Sequence, residues 1–361
     1  MKRAQLIKTI ESSLKRLNNR FASFAWKSWG IYCAVLFIAG ALINIVTDYR
    51  FNNFWLHQIL LIIATTMLVG AMRSYFRDIH MFTTGSDQNL LVKVPEVGGL
   101  FTNRFMPLQS SIWSVLAAII ITVFFFSCIV LLEYIEADII GLYAIYIAGT
   151  SVLIGVYAYM QYIYFLWFIY QAEKCSFDHY SYNMRAPAES AWISQLAKTS
   201  QRLRNQFLFI GLIYVIEYSI LIPTDKISFD SGGISLSTPN NAAFVISWAA
   251  LFLLVILAFP VLNHVQHRLV VRLVKKLKSQ TISELSELMF EEQRFSANKK
   301  EQMFTVVSYS TLIEDVRNSK DYPIKRQFSY EALMTIVTFA VHIMNLWSKL
   351  NSIPQIALLL P

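Results

Sequence analysis

The sequence predicts an all-α, polytopic membrane bundle of six to seven transmembrane helices with long cytosolic helical extensions. Three observations indicate this fold class: 55% of the 361 residues are hydrophobic, only 15% are charged, and the uncharged residues are gathered in long runs. Soluble globular domains carry about 25% charged residues, whereas an apolar run of about 20 residues is what a helix needs to cross a bilayer. The mean hydropathy of +0.46 agrees with this interpretation.

Seven segments are candidate spans. They are residues 28–47, 54–72, a stretch between 104 and 133, and residues 139–172, 207–222, 242–262 and 332–348. The seventh is near the lower length limit for a span, so a partly buried or interfacial helix is its alternative. The chain therefore divides into an N-terminal amphipathic helix (1–27), six spans in three hairpins (28–263), a cytosolic helical hairpin (264–330), and a seventh helix with an apolar tail (331–361).

The distribution of charge predicts the orientation. Only three of the 31 Lys and Arg residues, namely Arg50, Lys226 and Lys349, lie in connections predicted to be external. Basic residues concentrate on the cytosolic side of membrane proteins, so the N-terminus is expected to be cytosolic. A multi-pass protein of the bacterial inner membrane is the localisation favoured. The net charge of +8 is then explained by loops that face anionic lipid headgroups, and no nucleic-acid partner is expected.

The fourth span carries a stripe of small residues at intervals of three and four. Small side chains let helix backbones approach closely in lipid, where packing drives association. The stripe predicts either the central helix of the bundle or a self-association face, with a pore-lining surface as the alternative. Its members are Gly141, Ala144, Ala148, Ser151, Gly155 and Ala158.

Two ionisable residues lie within predicted spans, Glu217 in the fifth and His342 in the seventh. Each is about 11 residues from its cytosolic entry, which places both near the midplane at 1.5 Å per residue. Polar groups at such depth are candidates for ion or proton sites. Glu217 and His342 are therefore a candidate intramembrane pair, and the alternative is that Glu217 either reaches outward or bonds neighbouring helices.

The predicted cytosolic hairpin begins with an amphipathic helix whose first half is strongly basic and whose second half is acidic. The basic residues are a candidate contact for anionic lipid or for a protein partner: they are Arg268, Arg272, Lys275, Lys276 and Lys278. A second helix is predicted to follow a break near 296–298. The heptad-like seam of the N-terminal helix could pack on this hairpin.

Two other segments have recognisable patterns. A proline at 187 and an apolar face at Trp192, Leu196, Leu203 and Phe207 predict a helix that continues into the fifth span. The external connection after that span alternates around a Gly-Gly turn, which predicts a β-hairpin, with a capping loop as the alternative.

Motifs for chemistry are sparse. Cys175 with His179, and His264 with His267, are isolated pairs, whereas a structural zinc site needs four ligands. We therefore expect no metal, cofactor, disulfide or enzymatic activity. The function that the sequence favours is a non-enzymatic sensor, scaffold or effector subunit that docks a cytosolic protein and can form a homo-oligomer. The alternative is an ion channel or small transporter with a sparse polar path, to which Asn44 and Gln161 would contribute.

Overall fold

A computed structural model describes residues 9, 12–16, 26–46, 54–84, 94–131, 139–177, 182–220, 227–230, 233–236, 239–295 and 299–323. The architecture is all-helical, as predicted; the described elements are helices apart from one pair of four-residue strands. The predicted seventh helix, with His342, lies outside the described residues. So does most of the N-terminal helix, of which Leu14 is described and is buried.

The first predicted hairpin consists of two helices. Helix α1 (Trp26–Val46) covers the first predicted span up to residue 46, and helix α2 (Phe54–Thr84) contains the second. Helix α2 continues about three turns beyond the predicted limit at 72, so the charged residues Arg73, Arg77 and Asp78 lie within its C-terminal part rather than ending it.

The segment before the third span is helical, which the sequence did not predict. Helix α3 (Pro95–Leu100), a π-helical turn (Phe101–Phe105) and helix α4 (Met106–Gln109) precede helix α5 (Ile112–Leu131). Pro95 lies at the first position of α3, where its missing N–H group costs nothing, and Pro107 lies in α4 directly after the π-helical turn. The side chains of Phe101 and Phe105 are fully buried, so this segment belongs to the core.

The fourth and fifth spans are parts of longer helices. Helix α6 (Ile139–Ala172) has the predicted bounds. A 3₁₀ turn (Pro187–Glu189) leads into helix α7 (Ala191–Ile220). The predicted continuous helix through Trp192 and Phe207 is thereby confirmed.

The connection after α7 forms the predicted β-hairpin. Strand β1 (Ile227–Asp230) pairs antiparallel with strand β2 (Gly233–Leu236), and Asp230 faces Gly233 across the turn. The chain then enters helix α8 (Pro239–Phe295), which has 57 residues. At 1.5 Å per residue this helix is about 85 Å long. Helix α9 (Lys299–Asn318) returns along it.

The core is an aromatic cluster at the ends of α2, α6 and the segment from α3 to α4. The rings of Phe105 and Phe168 are 4.9 Å apart, and Phe101 meets Phe168 edge-on at 5.4 Å. Tyr75 contacts Phe165 edge-on at 5.8 Å. Apolar side chains of α8 from Leu269 to Leu277 extend this core, so this middle part of α8 packs against the other helices.

Three helical stretches among the described residues are long and apolar enough to cross a membrane: Gln58–Phe82, Pro95–Phe124 and Tyr146–Ala172. A shorter apolar helix covers Lys27–Ile43. Half of the first stretch is buried inside the protein, against 17% of the second. Helix α2 is therefore central and α5 is peripheral. The sixth predicted span and most of the fifth lie on helical stretches whose side chains are outside the described set, so these criteria do not test them.

Large apolar side chains are exposed in rows on the outer helices. On α1 they recur at intervals of four and three, so they occupy one face: Ile31, Val35, Ile38, Leu42 and Ile45. On α5 a similar row contains Trp113, Ile120, Val123 and Phe124. Contiguous exposed apolar surface of this kind is typical of a face that contacts lipid or another protein.

Candidate functional site

The far end of the α8/α9 hairpin exposes large apolar side chains. Phe304 is 76% exposed and Met303 is 72% exposed. Together with three neighbours they form what we call the hairpin tip: Leu288, Phe290, Met303, Phe304 and Val307. Exposed carboxylates at Glu287, Glu291 and Glu292 lie on the same stretch of α8. The tip thus combines exposed apolar side chains with carboxylates on α8 and with the exposed basic residues Arg294 and Lys300.

The base of the hairpin, in contrast, is held by polar contacts to two other segments. Arg204 of α7 is buried and donates to the Gln266 side chain at 3.3 Å. Gln266 in turn donates to the Tyr322 hydroxyl at 3.3 Å, and the Tyr322 ring lies 4.6 Å from His267. These contacts join α7, α8 and the segment after α9.

The predicted basic cluster divides into two groups, of which the first is engaged within the protein. Lys276 donates to the backbone carbonyls of Glu173 (2.7 Å) and Cys175 (2.6 Å), so it satisfies the C-terminal end of α6. Lys278 is buried and binds the Asp321 carboxylate at 2.7 Å and the Ser319 carbonyl.

Arg268, Arg272 and Lys275 are the exposed members of the cluster. Their intervals of four and three place them on one face of α8. These three side chains are therefore the part of the predicted lipid or partner contact that is open to a ligand.

The small-residue stripe of α6 faces other helices where its side chains are described. Ser151 is fully buried, accepts from Thr65 of α2 at 2.8 Å, and shares a hydrogen bond with the Tyr214 hydroxyl of α7. Ala158 is buried, and Gly155 lies beside Leu68. The side chains of Gly141 and Ala144 are outside the described set.

Two more polar clusters join the helices at other positions along α2. Near one end, the Gln58 side chain donates to the Tyr143 hydroxyl at 2.6 Å and to the Leu36 carbonyl at 3.2 Å. Near the other end, Gln109 donates to the Tyr75 hydroxyl, and Gln161 donates to the Gln109 carbonyl at 3.0 Å. Interhelical hydrogen bonds of this kind contribute about 0.6–2 kcal/mol each in membranes.

Apolar side chains separate these clusters. Between Thr65 and Tyr75, Leu68, Val69 and Met72 are each about 1% exposed. Ten residues of α2 correspond to about 15 Å. The polar groups on α2 therefore form separate sets of interhelical hydrogen bonds rather than one continuous polar path.

The candidate pair Glu217 and His342 is not brought together by the described structure. Glu217 lies in α7, but its side chain is outside the described set, and His342 is outside the described residues altogether. The side chain of Asn44 is also outside the described set. Gln161, the remaining predicted polar piece, is buried and takes part in the cluster with Gln109.

Sequence reasoning missed an ion pair whose carboxylate is buried. Asp78 of α2 is 1% exposed, and its carboxylate lies 2.9 Å from Arg202 of α7. The Thr199 hydroxyl also donates to Asp78 at 3.1 Å, and Arg202 donates to Ser74 at 3.1 Å. The available signal was a single acidic residue beside basic ones in the C-terminal part of α2.

The predicted isolated metal pairs gain no further ligands in the described structure, where no group of three or more His, Cys, Asp or Glu side chains could hold a metal ion. His179 lies outside the described residues. Cys33 and Cys175 are free thiols. Comparison with known proteins found no matching family model, no matching curated protein and no matching solved structure.

Proposed function

We propose that this chain is a multi-pass protein of the bacterial inner membrane that acts as a non-enzymatic sensor, scaffold or effector subunit. Its N-terminus would be cytosolic, and its α8/α9 hairpin would dock a cytosolic protein through the hairpin tip. The observation that carries the proposal is the exposed apolar surface of the tip, at Phe304 and Met303 above all.

The position of the tip supports a protein partner rather than lipid. If α8 leaves the bilayer near residue 262, the remainder of the helix to Phe295 extends about 50 Å from it. The carboxylates of Glu287, Glu291 and Glu292 would be repelled by anionic headgroups. On the side of the tip where Glu287, Glu291 and Glu292 lie, the exposed apolar side chains fit a partner surface that carries Lys or Arg.

The membrane placement is supported by the exposed apolar rows on α1 and α5 and by three stretches of membrane-spanning length. The exposed face of Arg268, Arg272 and Lys275 would begin about 9 Å from the bilayer, at 1.5 Å per residue from residue 262. That distance is comparable to the range of surface electrostatics at physiological salt. Anionic headgroups are therefore a second partner in the proposal.

Site-specific photo-crosslinking in cells tests the docking. A photo-reactive phenylalanine analogue at Phe304 should give one discrete adduct, whereas the same analogue at Lys198, which is exposed on α7, should not. Charge reversal by Glu287→Lys with Glu291→Lys should weaken the adduct, because it removes the complementary charge. Mass spectrometry of the adduct then distinguishes a different protein from a second copy of this chain.

Three results would contradict the proposal: no adduct at Phe304, the same adducts at both positions, or a lipid adduct at the tip. An adduct with a second copy would replace the heterologous partner by a homo-oligomer.

The second candidate is an ion channel or small transporter, which the buried polar side chains Gln58, Thr65 and Gln161 favour. The apolar stretch at Leu68 and Met72 argues against a continuous polar path. Purified protein in liposomes should therefore give no ion flux above that of empty vesicles. A flux that Glu217→Gln abolishes would favour the channel instead.

A further inference from the structure

A cleft of about 440 Å³ lies between helix α3, the π-helical turn and the end of α6. This size falls within the usual range of small-ligand sites. Six polar or reactive side chains take part in its lining: Glu96, Asn103, Arg104, Gln171, Lys174 and Cys175. The cleft is separate from the hairpin tip and from the buried polar clusters.

Two positive charges meet at this cleft. Arg104 comes from the π-helical turn and Lys174 from the turn after α6, and both side chains are exposed. Neither forms an ion pair with another described residue; the Lys174 ammonium instead lies 4.3 Å from the centre of the Tyr170 ring. Guanidinium and ammonium groups are the usual protein ligands of phosphate, and the amides of Asn103 and Gln171 supply further donors.

The surroundings favour a lipid phosphate over a soluble one. Lys174 is two residues beyond Ala172, the end of an apolar stretch of membrane-spanning length, and Arg104 lies within another. Tyr170 is exposed beside the cleft, as aromatic residues at the membrane interface commonly are. Basic pockets between membrane helices on the cytosolic side bind the phosphates of anionic lipid headgroups.

The carboxylate of Glu96 adds a charge of opposite sign to the same lining. The nearby Lys276 ammonium is engaged by the backbone carbonyls of Glu173 and Cys175. The Glu96 carboxylate accepts a hydrogen bond from the backbone N–H of Ser176 at 2.7 Å, which fixes its position. A headgroup that carries only negative charge would be repelled by this group, whereas a headgroup with an ammonium beside its phosphate would be attracted at both ends.

We propose that this cleft binds the headgroup of a zwitterionic aminophospholipid, with the phosphate on Arg104 and Lys174 and the ammonium beside Glu96. The inference rests on the membrane placement proposed above and does not depend on the docking of the hairpin tip. A failed crosslink at Phe304 would therefore not contradict lipid binding at the cleft. Absence of lipid binding at the cleft would likewise not contradict protein docking at the hairpin tip.

The test is lipid retention by the purified full-length protein, measured by native mass spectrometry in detergent. Titrations use phosphatidylethanolamine, phosphatidylglycerol and inorganic phosphate as separate probes. The variant Arg104→Ala with Lys174→Ala should weaken phosphatidylethanolamine binding on the order of tenfold or more, because it removes both cationic partners of the phosphate. The matched control, Arg185→Ala with Lys198→Ala, removes two exposed charges elsewhere and should bind as the wild type does.

A second variant tests the ammonium. Glu96→Gln keeps an acceptor for the Ser176 N–H but removes the charge, so it should abolish the preference for phosphatidylethanolamine over phosphatidylglycerol. Cys175 gives an independent readout, because bound lipid should slow its alkylation in the wild type and not in Arg104→Ala with Lys174→Ala. Burial, together with the Glu96 charge, raises the pKa of the Cys175 thiol, so the labelling is run at about pH 8.5, where thiolate is present.

Equal phosphatidylethanolamine binding by the double variant and the wild type would overturn the site. Wild-type binding of phosphatidylglycerol as tight as that of phosphatidylethanolamine would overturn the role given to Glu96. Displacement of the lipid by inorganic phosphate at similar concentration would overturn the assignment to a lipid headgroup.

Discussion

At the scale of single residues, Asp78 shows how a charge is kept inside this bundle. Its carboxylate is 1% exposed and receives hydrogen bonds from Arg202 and Thr199, both on α7. A buried charge without a partner costs several kcal/mol, so α2 and α7 are held in one register by this group. Arg202 is itself 44% exposed, and water therefore screens part of the attraction.

Replacement of Arg202 should destabilise the protein through the carboxylate that it leaves behind. We expect Arg202→Met to lower the free energy of unfolding by about 1–3 kcal/mol, the cost of an unsatisfied buried group. Asp78→Asn in the same chain should recover part of that stability, because no uncompensated charge remains. Thermal unfolding of the purified protein in detergent measures both.

The matched control is Arg185→Met, which removes an exposed arginine from the loop before α7 and should leave the unfolding temperature unchanged. Additive effects of Arg202→Met and Asp78→Asn would show that the two side chains do not interact.

The partners of individual side chains could be predicted only in part. The sequence predicts five basic residues on α8, but it does not predict that Lys276 and Arg272 have different partners. Lys276 binds carbonyls about 100 residues earlier in the chain, at the end of α6, whereas Arg272 is exposed. Which lysine meets a helix end depends on how the helices pack, and periodicity along one helix does not contain that information.

At the scale of elements, helix α6 differs from α1 in how closely its neighbours approach. A Cβ atom added at Gly155 would lie 3.5 Å from Leu68, an ordinary contact. A Cβ atom added at Gly40 of α1 would overlap the side chains of Gln58 and Tyr143. Those two groups are already fixed by hydrogen bonds to each other and to the Leu36 carbonyl.

The two glycines should therefore respond differently to the same substitution. We expect Gly155→Ala to leave stability nearly unchanged and Gly40→Ala to cost about 1–3 kcal/mol, because the fixed polar side chains have to move. Gly155→Leu should also destabilise, because its larger side chain would overpack the contact with Leu68. Unfolding temperatures in detergent give the comparison, and equal effects of the two alanine variants would contradict it.

Elements were predictable where the hydrophobic signal was long. The bounds of α6 follow from an uninterrupted uncharged run, and the α8/α9 hairpin follows from its apolar spacing. The segment 95–109 was not predicted to be helical, because it contains two prolines, two glycines and the charged Glu96 and Arg104, which are loop signals in a single sequence. Its aromatic side chains form the core only once α2 and α6 are in place, and the proposed lipid cleft was missed for the same reason.

At the scale of the whole molecule, the hairpin has a fixed base and an uncovered tip. Arg204, Gln266 and Tyr322 join its base to α7, and Lys278 binds Asp321. Helix α8 continues from this base to the tip without interruption. A rigid helix carries a displacement at one end to the other, so a partner on the tip would be coupled mechanically to the bundle through α7 and α8.

The orientation of the molecule is the prediction on which this arrangement depends. Translocation of many Lys and Arg side chains is disfavoured, and only three of 31 lie in the connections predicted to be external. In a chain with Cys33, Cys128 and Cys175 replaced by Ala, Glu136→Cys should react with a membrane-impermeant maleimide in intact cells. Ser308→Cys, on the exposed face of α9, should react only after permeabilisation. The opposite pattern would place the hairpin outside the cell and exclude a cytosolic partner. Labelling of both sites in intact cells would show that α9 is not in the cytosol.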